Sequence, residues 1–395
     1  MNKLSLSLVA IAMLSTVAVA DISSKNFGGT ASLFYGTNDA GDNDFFNKGA
    51  SGMSSGSYGN VAVQLGGAAS VGSCETCTTL NYGVTGVSTM GLENTLVSGT
   101  WIDHTLEDAV WIDTLNLAFH PLDGISNTTM IIGRQELDTP MVFTEKWNIA
   151  RNTYDAAVML NQDIQDVTLV GAWVGRSNIS GGDTVAHTGG YNSNSFDQFL
   201  TKEGAYAAGL VTTLIPTVTA QAWYYVAPTA ADIAWLQADS SFMGFGVGAQ
   251  YFYSDTKSTD KQEGGYAVKL GYNYEGLGLS AAYSSIDKDA HSAVNLGGGQ
   301  SKLYTDAWKN GGAVAQPDTD SFNVTATYSV ADIADLGVYY TNADHATAND
   351  MTEIAVIAGK DLGNLNLTAA YINADYNVAG EDAQNDIQVY ATYKF

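Results

Sequence analysis

The chain reads as an all-β protein, a transmembrane antiparallel up-and-down β-barrel of about eighteen strands, with sixteen as the second choice. Three observations predict it. Extended segments of alternating apolar and polar residues recur along nearly the whole length, their connections are by turns short and long, and the last segment, Asp386 to Phe395, stops on an aromatic residue. In that segment Ile387, Val389, Ala391, Tyr393 and Phe395 fall on one side and Asp386, Gln388, Tyr390, Thr392 and Lys394 on the other. About ten alternating residues is the length a tilted strand needs to cross a bilayer.

The N-terminus predicts export. Lys3 supplies a short positive region, Leu4 to Leu14 an apolar run, and Ala18-Val19-Ala20 a small-residue cleavage site, so residues 1–20 read as a signal peptide and 21–395 as one barrel domain. The apolar run falls short of the ~20 residues of a membrane helix. Removing Lys3 leaves 15 basic residues against 41 acidic ones, a formal charge of −26. Such acidity argues against nucleic acid as a partner and favours cations in any lumen the chain encloses. Gly (42) and Tyr (22) are abundant and Pro (5) scarce, a mixture suited to strands and aromatic girdles.

Taken in order, strands are expected at Gly29–Thr37, Asn60–Val71, Thr79–Ser88, Ala109–Phe119 and Thr128–Arg134. A polar excursion, about 135–154, follows. Asp155–Asn161 and Val167–Gly175 flank the turn QDIQD, Gly204–Thr213 and Thr217–Val226 flank Pro216, and Ile233–Ser240 pairs with Gly244–Tyr253 across Ser241-Phe242-Met243. Gly264–Tyr274 and Leu277–Ile286 meet at Glu275-Gly276, where a tight turn is expected. The longest late loop, Asp287 to Asp320, is rich in Gly, Asp, Asn and Lys, and Ser321–Val330, Leu336–Asn342, Thr352–Lys360, Leu365–Asn373 and the 386–395 segment complete the set. Alternation is sharpest late: Phe322, Val324, Ala326 and Tyr328 oppose Ser321, Asn323, Thr325 and Thr327. The apolar face is expected to meet lipid and the polar face to line a lumen, with short periplasmic turns and long extracellular loops.

Cys74 and Cys77 are the two cysteines, and in an exported chain they read as a disulfide stapling a turn. Asp39, Asp42 and Asp44 crowd oxygen donors into one loop, a possible calcium site; no other cofactor is indicated. Gly52-Met53-Ser54-Ser55-Gly56 matches a hydrolase nucleophile pattern, yet it lies in a Gly/Ser-rich loop without the strand-to-helix elbow that gives the pattern meaning. The histidines, His104, His120, His187, His291 and His345, are scattered, and no phosphate loop or dinucleotide fingerprint occurs. An enzyme is not expected. A barrel whose long loops make it a surface adhesin is the alternative to a channel.

All three arginines, Arg134, Arg151 and Arg176, lie close together around the excursion GRQELDTPMVFTEKWNIARNTYDAAV. If this excursion folds into the barrel, it sets guanidinium groups against Glu136, Asp138 and Glu145, and such opposed charges decide which solutes pass. Arginine suits the task because it is always charged and its fork grips a carboxylate in two places. Arg176 shares strand parity with Thr168, which would place it in the lumen, and Lys269 lies on the polar face of its own strand.

The run GRQELDTP, then Arg151-Asn152-Thr153-Tyr154-Asp155-Ala156-Ala157-Val158, then NQDIQDVTLVGAWVGR, resembles the OprD-like porin superfamily and looks closest to the major outer membrane porins of epsilon-class proteobacteria. The resemblance is strongest over 128–176 and in the C-terminal strand. It implies an eighteen-stranded barrel in the outer membrane of a Gram-negative bacterium, usually trimeric and set in lipid and lipopolysaccharide. It also implies a constricting third extracellular loop and a ladder of basic residues on the wall, with Arg134 and Arg151 matching the motif. The chain departs from that pattern in having few basic residues. A general, cation-preferring pore for small hydrophilic solutes is therefore expected.

Overall fold

The computed structural model describes residues 27–40, 44–47, 56–71, 78–88, 90–92, 96–97, 108–146, 149–178, 196–257, 261–331 and 333–395. Its strands are β1 (Gly28–Asn38), β2 (Gly56–Val71), β3 (Thr78–Ser88), β4 (Ala109–Phe119), β5 (Thr128–Gln135), β6 (Tyr154–Asn161) and β7 (Val167–Ser177). They continue with β8 (Asp197–Gln198), β9 (Ala205–Thr212), β10 (Val218–Ala227), β11 (Ala231–Phe242), β12 (Phe245–Thr256) and β13 (Lys261–Tyr274). The last are β14 (Leu277–Ile286), β15 (Thr319–Val330), β16 (Ala334–His345), β17 (Met351–Leu362), β18 (Leu365–Asp375) and β19 (Gln384–Lys394). Each wall strand pairs antiparallel with the next. β8 adds two residues to the end of β7, and β7 then pairs with β9, so eighteen strands form the wall.

The wall closes where β1 pairs with both β2 and β19. Ser32 lies opposite Thr392 and Phe34 opposite Tyr390, and Gly29 and Phe395 exchange both backbone hydrogen bonds, at 2.8 and 3.0 Å. Closure leaves no edge strand, the condition for a sheet in hydrocarbon. No helix among the described residues is long and apolar enough to cross a membrane.

The faces are inverted relative to a soluble sheet. On β13 Tyr266, Val268 and Leu270 are exposed while Ala267 is buried; on β15 Phe322 and Val324 are exposed while Ser321 and Asn323 are buried. The apolar side therefore points out and the polar side in. Outward aromatics cluster at one rim, where Phe245 and Tyr272 pack at 4.8 Å between ring centroids and Tyr393 and Phe395 at 6.2 Å. From Tyr266 to Tyr274 the strand rises about 27 Å, which a tilt of ~40° projects onto about 20 Å, close to the height of an outer-membrane apolar band.

Two of the turns at the rim that carries Gly28 and Phe395 are tight. Met243-Gly244 and Glu275-Gly276 both have positive φ at both residues (49° and 86°, 44° and 85°), the hairpin geometry whose twist matches the flanking strands. The first turn sits one residue later than Ser241-Phe242-Met243, because β11 continues through Phe242. At the opposite rim lie the long connections 136–153 and 287–318, and both fold inward. Leu137, Met141 and Val142 of the first and Ala293, Leu296, Leu303 and Val314 of the second are buried against Tyr154, Tyr225, Trp235 and Phe252 of the wall. Burial of this apolar set is what holds two long loops inside a polar barrel.

Candidate constriction of the lumen

The connection 136–153 begins with a tight reversal at Asp138–Phe143. Thr144 donates its backbone N–H to Leu137 at 2.7 Å and Thr139 to Val142 at 3.0 Å. The tip reaches across to β10, where the Met141 N–H meets the Tyr225 hydroxyl at 3.4 Å, and the stem is tied back by the Tyr154 hydroxyl donating to the Phe143 carbonyl at 2.7 Å. The connection 287–318 then runs beside it. Leu296 donates its backbone N–H to Met141 at 2.8 Å, and Asn295 bonds Phe143 twice, accepting its N–H at 3.2 Å and donating to its carbonyl at 2.8 Å. The buried Glu145 carboxylate accepts the backbone N–H groups of Gly299 and Gln300, both at 2.8 Å. These are charge-assisted bonds in a dry place, where they count for more than at a surface.

The second connection is also fastened to the wall on both sides. Toward β11 and β12, Gln250 donates to the Lys302 carbonyl at 2.8 Å and accepts the Tyr304 N–H at 3.1 Å, while the Tyr304 hydroxyl donates to Asp239 at 2.8 Å. A Cβ at Gly248 would come within 2.5 Å of that hydroxyl, so glycine is needed for the loop to lie against the wall. Toward β17 and β19, buried Glu353 accepts the backbone N–H groups of Lys309 and Asn310, each at 3.0 Å, and the Lys309 ammonium reaches Asp386 at 2.7 Å. Burial, with Glu353 and Glu145 nearby, pushes the Asp306 carboxyl well above the usual carboxylate range. Burial likewise pulls the Lys302 ammonium down, although Asp138 opposes this.

Of the residues singled out in the sequence, Arg151 pairs with Glu136, whose other oxygen lies 3.5 Å from Lys146, and Asp138 pairs with Lys302. Arg151 also lines a cavity with Asp113, Gln64 and Tyr82 on the β2 to β4 side of the lumen. Glu145 faces no guanidinium and serves as the clasp between the two loops. Lys269 projects inward, 3.4 Å from Asp239 and 4.1 Å from the centre of the Tyr304 ring.

Arg134 and Arg176 correct the expectation that they face the lumen. Tyr154 and Ala156 are buried inward, so Asp155 between them points out. Arg134 is its direct cross-strand partner and grips it at 2.8 and 3.2 Å, on the face that carries exposed Ile132 and Leu115. A register shift between Asp155 and Ala156 places Arg176 opposite Asp155 too, 3.6 Å away, so parity counted from Thr168 fails at the bulge. The ring of Phe196 covers the Arg134 guanidinium at 3.2 Å.

Lys302, Asp306, Lys309, Asp239, Glu353 and Asp386 were not legible as site residues. The one hint is that 287–318 carries buriable Ala293, Leu296, Leu303 and Val314 amid its polar residues. Asp39 at the proposed calcium loop accepts both the backbone and side-chain N–H of Asn385, each at 2.6 Å. Asp42, Cys74, Cys77, Ser54 and the signal peptide lie outside the described residues; no cluster of metal-binding side chains occurs among those described, Asp44 included.

No family model and no curated protein matches the chain. Solved structures do. OccK8 (OprE) of Pseudomonas aeruginosa matches at 13% identity and a TM-score of 0.69, covering 94% of this chain and 98% of that one. OccAB3 of Acinetobacter baumannii matches at 11% identity and a TM-score of 0.73, covering 94% and 99%. The outer membrane protein opdK of Pseudomonas aeruginosa matches at 11% identity and a TM-score of 0.69, again over 94% and 99%. At such identities the likeness is one of fold: the chain shares the β-barrel architecture of these solved structures along nearly its whole length.

Proposed function

We propose that the chain is a non-enzymatic outer-membrane porin that passes small hydrophilic solutes and ions by diffusion, with a preference for cations. The observation that carries this reading is a closed barrel, apolar outside and polar inside, whose lumen is narrowed by two loops rather than filled by a domain. In support of the preference, the lumenal cations Arg151, Lys302, Lys269 and Lys309 each meet a carboxylate, Glu136, Asp138, Asp239 and Asp386, while Asp113 and Glu353 add further carboxylates and Arg134 and Arg176 lie on the outer face. The likeness in fold to outer-membrane barrels supports the same location for this chain, among lipid and lipopolysaccharide of a Gram-negative cell. The nearness to epsilon-proteobacterial porins and the trimeric assembly, both implied by the sequence resemblance, belong to this proposal, and cross-linking in native membranes tests the trimer.

Purified protein in a planar bilayer is expected to conduct, and in a salt gradient its reversal potential is expected to show cations passing preferentially. A protein that inserts without conducting overturns the porin reading in favour of an adhesin or structural barrel. A reversal potential of the anion-selective sign overturns the preference alone.

A further inference from the structure

On the outer face, toward the rim of the long connections, two cations share one carboxylate. Asp155 of β6 is gripped by Arg134 of β5 at 2.8 and 3.2 Å and approached by Arg176 of β7 at 3.6 Å. Lys257 and Lys261, near the same rim, each have an acid of their own, Asp232 at 2.7 Å and Asp289 at 3.5 Å. The group of three thus keeps one positive charge, in a chain whose formal net charge is −25. Its two guanidinium groups are held differently. Arg134 also donates to the Ile112 carbonyl at 2.7 Å and lies under the Phe196 ring, whereas the Arg176 side chain is 61% exposed and its guanidinium makes no hydrogen bond among the described residues.

The height of the group on the wall decides what it meets. Trp173 on β7 and Tyr206 opposite it on β9 stand outward and exposed, as do Tyr224 and Tyr251 farther round, forming a belt at the end of the apolar band away from the tight turns. Arg176 follows Trp173 by three residues, about 10 Å along the strand, which carries it past the belt. A Cβ at Gly175 would come within 2.5 Å of the Trp173 ring, so glycine lets the indole lie over the bulge next to Arg176, its N–H fixed to the Glu203 carbonyl at 3.0 Å. Lys202 and Glu203, the exposed residues of the adjoining turn, cancel each other in charge. Below the group, Leu115, Ile132 and Met159 are exposed on the same face.

A surplus cation directly above an apolar wall needs a reason. Arginine on a lipid-facing surface is costly at mid-depth and tolerated near the interface, and Asp155 alone neutralises only one of the two. A free anion would gain nothing from Leu115, Ile132 and Met159, and an uncharged lipid nothing from Arg176. A molecule with an anionic head and apolar chains meets both, and a phosphate matches the planar fork of a guanidinium.

We propose that Arg176, backed by Arg134, is a binding site for the phosphate of an outer-leaflet glycolipid of the lipid A type. The phosphate meets the Arg176 fork beside the Trp173 indole, and the acyl chains descend along Leu115, Ile132 and Met159. Arg134, fixed by Asp155, Ile112 and Phe196, supplies positive field from behind and is a positioning residue. The proposal goes beyond the porin reading and rests only on its outer-membrane placement, not on conduction.

The test uses purified full chain in detergent micelles, titrated with bisphosphorylated lipid A, with the same lipid stripped of phosphate, and with inorganic phosphate, the bound lipid being counted by native mass spectrometry. One bisphosphorylated lipid A per chain is expected, with the stripped lipid at least ~10-fold weaker, the worth of a charge-assisted contact. Arg176→Gln is expected to weaken binding of the phosphorylated lipid about 10-fold, while Lys257→Gln, at the same rim, leaves it unchanged. Asp155→Asn removes the competing carboxylate and is expected to strengthen binding several-fold, a change that a merely structural ion pair would not produce. Should that variant fail to fold, Arg176→Gln, exposed and outside the packing, decides alone. Equal binding of phosphorylated and stripped lipid, or an Arg176→Gln variant that binds as the wild type does, overturns the site. Inorganic phosphate that displaces the lipid at matched concentration assigns the group to a free anion, and a change of oligomeric state in Arg176→Gln without a change in lipid binding assigns it to contact between copies; either result overturns the lipid site. None of these readouts depends on current, so failure here leaves the porin reading intact, and a barrel that does not conduct leaves the lipid site standing.

Discussion

Glu353 on β17 holds Asn310 by three oxygen contacts shared with its neighbour: Asn310 donates its backbone N–H at 3.0 Å and its side-chain amide at 2.7 Å, and Lys309 adds a third N–H at 3.0 Å. The carboxylate is buried, so removing it leaves those donors unpaired in a dry place. Glu353→Ala is expected to cost about 3 kcal/mol of the docking of 287–318, at about 1–3 kcal/mol per orphaned donor. Single-channel traces should then show larger and noisier current steps than the wild type. Identical traces would mean that this clasp does not govern the opening.

The arginines separate into two groups with opposite expectations. Arg134→Ala or Arg176→Gln should leave the reversal potential unchanged, because both guanidinium groups face outward. Arg134→Ala should still lower thermal stability by about 1 kcal/mol through loss of its grip on the part-exposed Asp155. Arg151→Gln leaves Glu136 with the more distant Lys146 and should increase cation preference. A shift of selectivity in the first group with none in the second would invert the assignment.

Asp306 offers a pH signature. Its carboxyl is raised by burial and by Glu353 and Glu145, so the folded state keeps a proton that the unfolded chain has released. Its contribution to stability is therefore present in acid and lost as pH rises from the ordinary carboxylate range through the raised value. Asp306→Asn removes that dependence. Compared across pH ~4 to ~9, the unfolding midpoint of the variant should gain on the wild type as pH increases. A gap that is constant with pH would contradict the assignment.

At the seam, deleting Phe395 strips both backbone hydrogen bonds to Gly29 and the ring contact with Tyr393. The fraction reaching a folded, heat-modifiable barrel is expected to fall several-fold, while pores that do assemble conduct normally. Undiminished assembly of the shortened chain would show that the seam does not depend on this residue.

Period-two alternation made the wall legible from residues alone, because each strand of a closed barrel separates lipid from water and cannot blur its two faces. Two things were not legible. Parity fails at a bulge, and Arg176 sits one residue past one; Arg134 stands beside the excursion in sequence, but its pairing with Asp155 is a matter of register. The inward course of 287–318 was hidden because loops carry no period, and its anchors, Glu353 and Asp386, are far away in the chain and unremarkable within their strands.

The clasp of Lys309 on Asp386 ties the aperture to the seam. Asp386 belongs to β19, and it also accepts a hydrogen bond from Tyr58 of β2, on the far side of β1. One carboxylate thus serves both the strut that narrows the bore and the junction that shuts the cylinder, so a change there reaches the two at once.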